Sequence, residues 1–190
     1  GQFLDIVAQA RPALDARTAP DAVAAQVRQV LEYKTARYTV IRPLQIGAAL
    51  AGGSPETLDA LGRYGSAVGR AFQLRDDVLG VFGDAEVTGK PAGDDLREGK
   101  FTALLAHSLR LASDDDAAAL AALAGRPDLT DAEIADARRS ITGSGALDAV
   151  GAEIAEAAAA AVAGLQAAPV TPQAREALAN LAHAAVNRSA

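Results

Sequence analysis

The sequence contains no cysteine, which excludes disulfides and thiolate chemistry and fits a reducing compartment. No apolar run reaches the roughly 18 residues of a membrane span, and no secretory leader is visible, so a cytoplasmic location is expected. Gly1 is not a natural start, and an upstream segment is expected. A positive excess is also missing. The net charge is −6, whereas a nucleic-acid footprint would need a basic face, so no nucleic-acid partner is expected. An anionic small molecule remains compatible, because local charge can oppose the global sign. Lysine is scarce: 15 of the basic residues are arginine and only Lys34, Lys90 and Lys100 are lysine. A rare residue type at a few places points to those places.

What remains is helical. Half of the 190 residues are apolar, enough for one domain with a core of its own. Residues 1–9 read as the end of a helix, and residues 10–19 as a Pro-interrupted connector. Pro20 suits a first helical position, where its missing N–H is not needed. Val23, Val27, Val30 and Leu31 carry a helical period to about residue 39. Helix resumes after a break at Pro43 and stops at Gly52-Gly53, a left-handed cap signal. Ser54-Pro55-Glu56 starts a long helix by cap and first-turn rules. Leu58, Leu61, Gly65, Val68 and Phe72 carry its stripe to about residue 82, with Gly65 and Gly69 allowing close helix packing. Residues 83–100 are expected to be a long loop, with Gly83, Gly89, Gly93, Gly99, one proline and eight charged residues. Helices are expected again over 101–112, 114–124, 131–143 behind a Thr130/Glu133 capping box, 144–167, and from Thr171-Pro172 onward. Arg138-Arg139 reads as a solvated helix face.

Within the long helix lies "FQLRDDVLGVFGD", residues 72–84. On a helix, Gln73, Asp76, Asp77 and Gly80 fall at i, i+3, i+4 and i+7 and share one face. Two adjacent carboxylates repel unless a cation intervenes. Mg²⁺ suits them, because it takes carboxylate oxygens and keeps its remaining positions for waters and phosphate oxygens. Lysine supplies mobile positive charge for the phosphates. A metal-bridged diphosphate accounts for the acidic pair and the loop lysines together. The blander alternative is a solvated Asp-Asp pair near a helix end, which the flanking Phe72, Val78, Leu79, Val81 and Phe82 disfavour.

"GQFLDI", "EYKTARYTVIRPLQIGAALAG", "FQLRDDVLGVFGD" and "TGKPAGDDLREGKFTALLAHSL" occur in this order. Together they resemble the latter part of trans-isoprenyl diphosphate synthases, the polyprenyl synthetase family, in its actinobacterial short-chain form. The resemblance covers most of residues 1 to about 110. It implies an all-α bundle of long helices around a central cavity, with residues 1–190 as the C-terminal portion of a single domain, usually a homodimer. It implies Mg²⁺-dependent condensation of isopentenyl diphosphate with an allylic diphosphate to a longer product such as geranylgeranyl diphosphate.

Residue by residue, the resemblance implies that Asp76 and Asp77, the first two acids of the second aspartate-rich motif, bind Mg²⁺ on the allylic diphosphate. Gln73 matches the glutamine one turn before them. Lys34 and Thr35 match the Lys-Thr pair facing that diphosphate, and Lys90 and Lys100 match the lysines of the following loop. Gln2 and Asp5 match a helix lining the cavity, and Phe72 is placed near the substrate tail. There are two departures. The motif is often DDxxD, and its third acid falls on Gly80; Asp84 would share the stripe only if the helix ran that far. The first aspartate-rich motif has no counterpart: Asp94-Asp95 is a loop sequence beyond the second motif, and Asp114-Asp115-Asp116 reads as a helix start. The chain alone is therefore expected to be inactive. The alternative is a non-catalytic partner subunit of a heteromeric prenyl synthase.

Overall fold

The computed structural model describes Phe3 and residues 20–84, 86, 89, 91 and 93–187. The expectations for residues 1–19 otherwise fall outside the described residues. Among the described residues every regular element is a helix, which bears out the all-α expectation. The elements are α1 (Pro20–Val30), a π-helical stretch (Leu31–Ile41), α2 (Arg42–Leu50), α3 (Pro55–Phe82), α4 (Asp94–Arg97), α5 (Ala103–Leu111), α6 (Asp114–Leu123), α7 (Asp131–Gly143), α8 (Ala146–Gln166) and α9 (Pro172–Val186). No helix of the described residues is long and apolar enough to cross a membrane.

The helix starts follow from side chains that satisfy otherwise orphaned N–H groups. Thr102, Ser113, Thr130 and Thr171 each accept a hydrogen bond from the backbone N–H three residues on. The Thr130/Glu133 box closes reciprocally, with Glu133 accepting from the Thr130 N–H at 2.8 Å. That bond, the Thr130 hydroxyl and Arg126 hold the Glu133 carboxyl down to about 2. Gly52, at φ +76°, ends α2 in the left-handed conformation, and Gly53 N–H closes back on Ala48 O at 2.8 Å.

Two boundaries differ from expectation. Pro43 does not break the helix. The preceding stretch is π-helical, with the Arg42 N–H donating to Arg37 O, five residues back. That change of register places Pro43 in the first turn of α2, where no N–H is required. Residues 94–97, expected to be loop, form one helical turn after Gly93, whose φ of +70° only glycine adopts freely.

The chain divides into two compact units. Among the described residues, unit 1 comprises residues 30–75 and 153–187. Its core joins Leu61, Tyr64 and Val68 of α3 to Ala161 and Leu165 of α8 and Leu178 and Ala182 of α9. The Tyr64 hydroxyl donates to Leu178 O at 2.7 Å, and burial pushes this phenol up to about 12. Among the described residues, unit 2 comprises Phe3, residues 20–29 and those of 76–152. Leu104, Leu109, Leu120, Ile134, Ile141 and Val150 are among its buried apolar side chains. Arg138, expected to be solvated, donates from Nε to Val81 O at 2.7 Å and lies over the Phe82 ring. Its planar cation caps the end of α3, where carbonyls lack helical donors.

Candidate functional site

In unit 1 the π-helix lies directly on a glycine track of α3. A Cβ at Gly65 would stand 2.8 Å from Ile41 Cγ1 and 3.1 Å from Ile41 Cα. A Cβ at Gly69 would overlap both Ala36 Cα and Ala36 Cβ. Only glycine lets two helical backbones come this close. One turn beyond Gly69, the Thr35 hydroxyl donates to Gln73 Oε1. Thr35 is buried, while Lys34 and Gln73 are half-buried. The Ser66 hydroxyl donates to Glu32 Oε2 at 2.9 Å, and Gln45 Nε2 donates to Leu58 O at 3.1 Å. Thr35, Ala36, Ile41 and Gln45 thus meet positions 73, 69, 65 and 58 in turn, an antiparallel seating. Two sequence-predicted residues, Thr35 and Gln73, are joined directly, and Phe72 is half-buried beside them in the chain.

In unit 2, α3 continues without interruption through Asp76 and Asp77 to Phe82. The stripe of positions 73, 76, 77 and 80 therefore exists as expected. Asp76 is half-buried and Asp77 is buried. Asp84 does not extend the stripe: the helix has ended, and the Asp84 carboxylate instead accepts from the Glu86 N–H at 2.9 Å.

Gly80 has a neighbour that the sequence did not reveal. A Cβ there would fall inside the carboxylate of Asp95, overlapping Oδ2 and Cγ and standing 2.9 Å from Oδ1. Asp95 is 7% exposed. Lys100 holds it, with Nζ 2.5 Å from Asp95 Oδ1 and 2.8 Å from Glu98 Oε2, and with its N–H donating to Asp95 O at 3.0 Å. Burial opposes the Lys100 charge, but the hydrogen bonds and charges of Asp95 and Glu98 outweigh it and raise the ammonium well above its ordinary value. The surrounding turn is fixed by backbone contacts. Gly125 N–H donates to Leu96 O at 2.8 Å, a Cβ on Gly99 would stand 2.8 Å from Gly125 Cα, and Arg97 reaches Leu129 O at 3.2 Å. Lys100 is thus engaged by acids of its own turn. Gln2, Asp5 and Lys90 lie outside the described residues.

Among the described residues no three acidic, histidine or cysteine side chains close into a metal cage. Asp76 and Asp77 still suit Mg²⁺. Their donors are hard oxygens, and Mg²⁺ is ordinarily held by one or two carboxylates, with waters and substrate phosphates completing its shell. The sequence signal for Asp95 was a glycine where the motif often has an acid, but the partner lay fifteen positions downstream in an expected loop.

A profile of the family described as polyprenyl synthetase matches residues 1–141. The geranylgeranyl diphosphate synthase of Methanosarcina mazei is 33% identical over 150 residues, covering 79% of this chain and 42% of that protein. The short chain isoprenyl diphosphate synthase of Methanothermobacter thermautotrophicus is 40% identical over 96 residues, covering 50% of this chain and 30% of its own. Among solved structures, the geranylgeranyl pyrophosphate synthase of Corynebacterium glutamicum, complexed with isoprenyl diphosphate and magnesium, superposes with a TM-score of 0.89. Its identity is 41%, over 98% of this chain and 51% of that one. The chain thus spans about a third to a half of the length of these relatives.

Proposed function

The chain belongs to the polyprenyl synthetase family, and we propose on that premise that it is the C-terminal portion of a prenyltransferase. The full-length protein condenses isopentenyl diphosphate with an allylic diphosphate to a longer prenyl diphosphate such as geranylgeranyl diphosphate. The observation that carries this reading is the unbroken helix α3, which presents Gln73, Asp76 and Asp77 on one stripe.

Each residue has a part. Asp76 and Asp77 hold Mg²⁺, which when bound neutralises charge that builds on the departing diphosphate. Thr35 fixes the Gln73 carboxamide by its hydrogen bond, so that the amide N–H₂ is directed rather than free to rotate. Lys34, Lys90 and Lys100 supply positive charge on the diphosphate side, Lys100 from its place between the Asp95 and Glu98 carboxylates, and Gln2 and Asp5 contribute to the lining of the cavity. Phe72 presents an apolar ring to the prenyl tail. Positioned cations and donors of this kind stabilise a leaving anion without reorganising. Excluding water protects the allylic cation until isopentenyl diphosphate attacks it and a proton is lost. No side-chain nucleophile is needed. The enzyme is a cytoplasmic homodimer in this reading.

The alternative of a non-catalytic partner subunit draws on two features, Gly80 at the place of the third acid and a first aspartate-rich motif with no counterpart in residues 1–190. The family membership of residues 1–141 supports the catalytic reading over it. The test is product analysis of the full-length protein with Mg²⁺, isopentenyl diphosphate and farnesyl diphosphate. A longer prenyl diphosphate that vanishes with Asp77→Ala is expected. Absence of product from the wild type would overturn the reading.

A further inference from the structure

We propose that residues 124–130, the connector between α6 and α7, position Lys100 for the diphosphate, with Arg97 as the positioning residue that carries the link. The inference deepens the proposed function and rests on its placement of Lys100 on the diphosphate side. Asp95 and Glu98 fix the Lys100 ammonium relative to its own turn, at 2.5 and 2.8 Å. They do not fix the turn itself. Helix α4 is four residues long, too short to hold together unaided in water. Its place must therefore come from what it is packed against.

The connector supplies that place, and every contact involved lies within unit 2. The Gly125 N–H donates to Leu96 O at 2.8 Å. Gly99, at φ +65°, lies so close to Gly125 that a Cβ on it would stand 2.8 Å from Gly125 Cα. Arg97 Nη2 donates to Leu129 O at 3.2 Å, and Leu129 is buried. Residues 96, 97 and 99 thus meet the connector, while 95, 98 and 100 hold one another. The connector is itself braced, with Arg126 reaching Asp128 at 3.3 Å and Glu133 at 2.8 Å. Arg97 also approaches Asp131 at 3.9 Å, but that carboxylate is fully exposed, and such a pair contributes little. The Leu129 carbonyl is the anchor. A charge-bearing donor on a backbone carbonyl is also the stronger kind of hydrogen bond.

The test is calorimetric titration of the full-length protein with inorganic pyrophosphate and Mg²⁺, at a temperature where every variant is folded. A charge-assisted contact from Lys100 corresponds to about tenfold or more in affinity, and Lys100→Gln sets that scale. Arg97→Met keeps the stem and removes the donor. With Lys100 present it is expected to weaken binding by about threefold to tenfold. Added to Lys100→Gln it is expected to change affinity by less than about twofold, because a residue that acts through another then has nothing to act on. Gly99→Ala, which pushes the turn off Gly125, is expected to show the same dependence on Lys100. Asp131→Ala is expected to bind like the wild type. Four results would each overturn the inference: Lys100→Gln or Arg97→Met binding like the wild type, an equal loss from Arg97→Met in both backgrounds, or a loss in Asp131→Ala as large as in Arg97→Met. The functional reading fails separately, and the inference with it, if the wild type shows no Mg²⁺-dependent pyrophosphate binding.

Discussion

Gly69→Ala should damage the protein even though alanine is the better helix former. The added Cβ would overlap Ala36 Cα, a backbone atom of the π-helix, as well as Ala36 Cβ. Relief requires the π-helix to withdraw by about 1 Å, and a misplacement of that size costs up to ~100-fold in rate when it shifts positioning groups. Two terms oppose each other in stability. Removing glycine from a helix interior gains about 0.5–1 kcal/mol. Forcing a methyl into a filled contact costs about 1–3 kcal/mol. The clash is with backbone, and Ala36 is 1% exposed, so the upper half of that range applies and a net loss of about 1–2.5 kcal/mol is expected. Withdrawal would also part Thr35 from Gln73, whose hydrogen bond lies one turn along. The assay is Tm and steady-state prenyl transfer of the full-length protein. Gly151→Ala is the control: a Cβ there meets nothing within 4 Å, so it should stabilise by about 0.5–1 kcal/mol and leave turnover alone. A Gly69→Ala enzyme that melts higher than the wild type and turns over within twofold of it would refute the close-approach argument.

Tyr64→Phe should flatten an alkaline limb of stability. The phenol is raised to about 12 by burial, so the unfolded chain loses its proton first; the stabilisation is complete below about pH 10 and is lost as pH rises through about 12, at most ~1.4 kcal/mol per pH unit. Loss of the bond to Leu178 O should also cost about 1 kcal/mol at neutral pH, read by urea melts across pH 7–12. Thr130→Ala removes the hydroxyl half of the reciprocal cap of α7 and should cost about 1 kcal/mol. It should also reduce acid sensitivity, because the Thr130 hydroxyl is one of the contacts that lower the Glu133 carboxyl, beside the residue-130 N–H and Arg126 that remain, and the stability this carboxyl contributes above its unfolded value is lost as pH falls toward about 2. Amides of Leu96, Lys100 and Gly125, all backbone-bonded within unit 2, should be protected from exchange without ligand; rapid exchange there would contradict a turn fixed by these bonds.

The fold was legible where local chemistry decides it. Thr130 and Thr171 start helices through their own side chains, and such signals span only three residues; Thr102 and Ser113 do the same without having been singled out in the sequence. Gly65 and Gly69 were legible too, since a glycine pair one turn apart in an otherwise apolar stripe has few other uses. The π-helix was not, because its bonds to residues five back leave the apolar pattern almost unchanged, and Pro43 looked like a break. Arg138 looked solvated because its acceptor, Val81 O, lies 57 positions away. In the candidate site, the stripe of Gln73, Asp76 and Asp77 follows from helical spacing alone. The Asp95 carboxylate at Gly80 does not, because it is a tertiary contact made by a turn whose composition reads as loop.

The central claim is that Asp76 and Asp77 bind Mg²⁺ together with a diphosphate. Calorimetric titration of the full-length protein with inorganic pyrophosphate, with and without Mg²⁺, tests it most directly when paired with Asp76→Ala. The account predicts tight binding only when both ligands are present, and a loss of at least 100-fold in the variant, since a metal-assisted charge interaction is worth several kcal/mol. Equal affinity in Asp76→Ala and the wild type, with Mg²⁺ present, would contradict it.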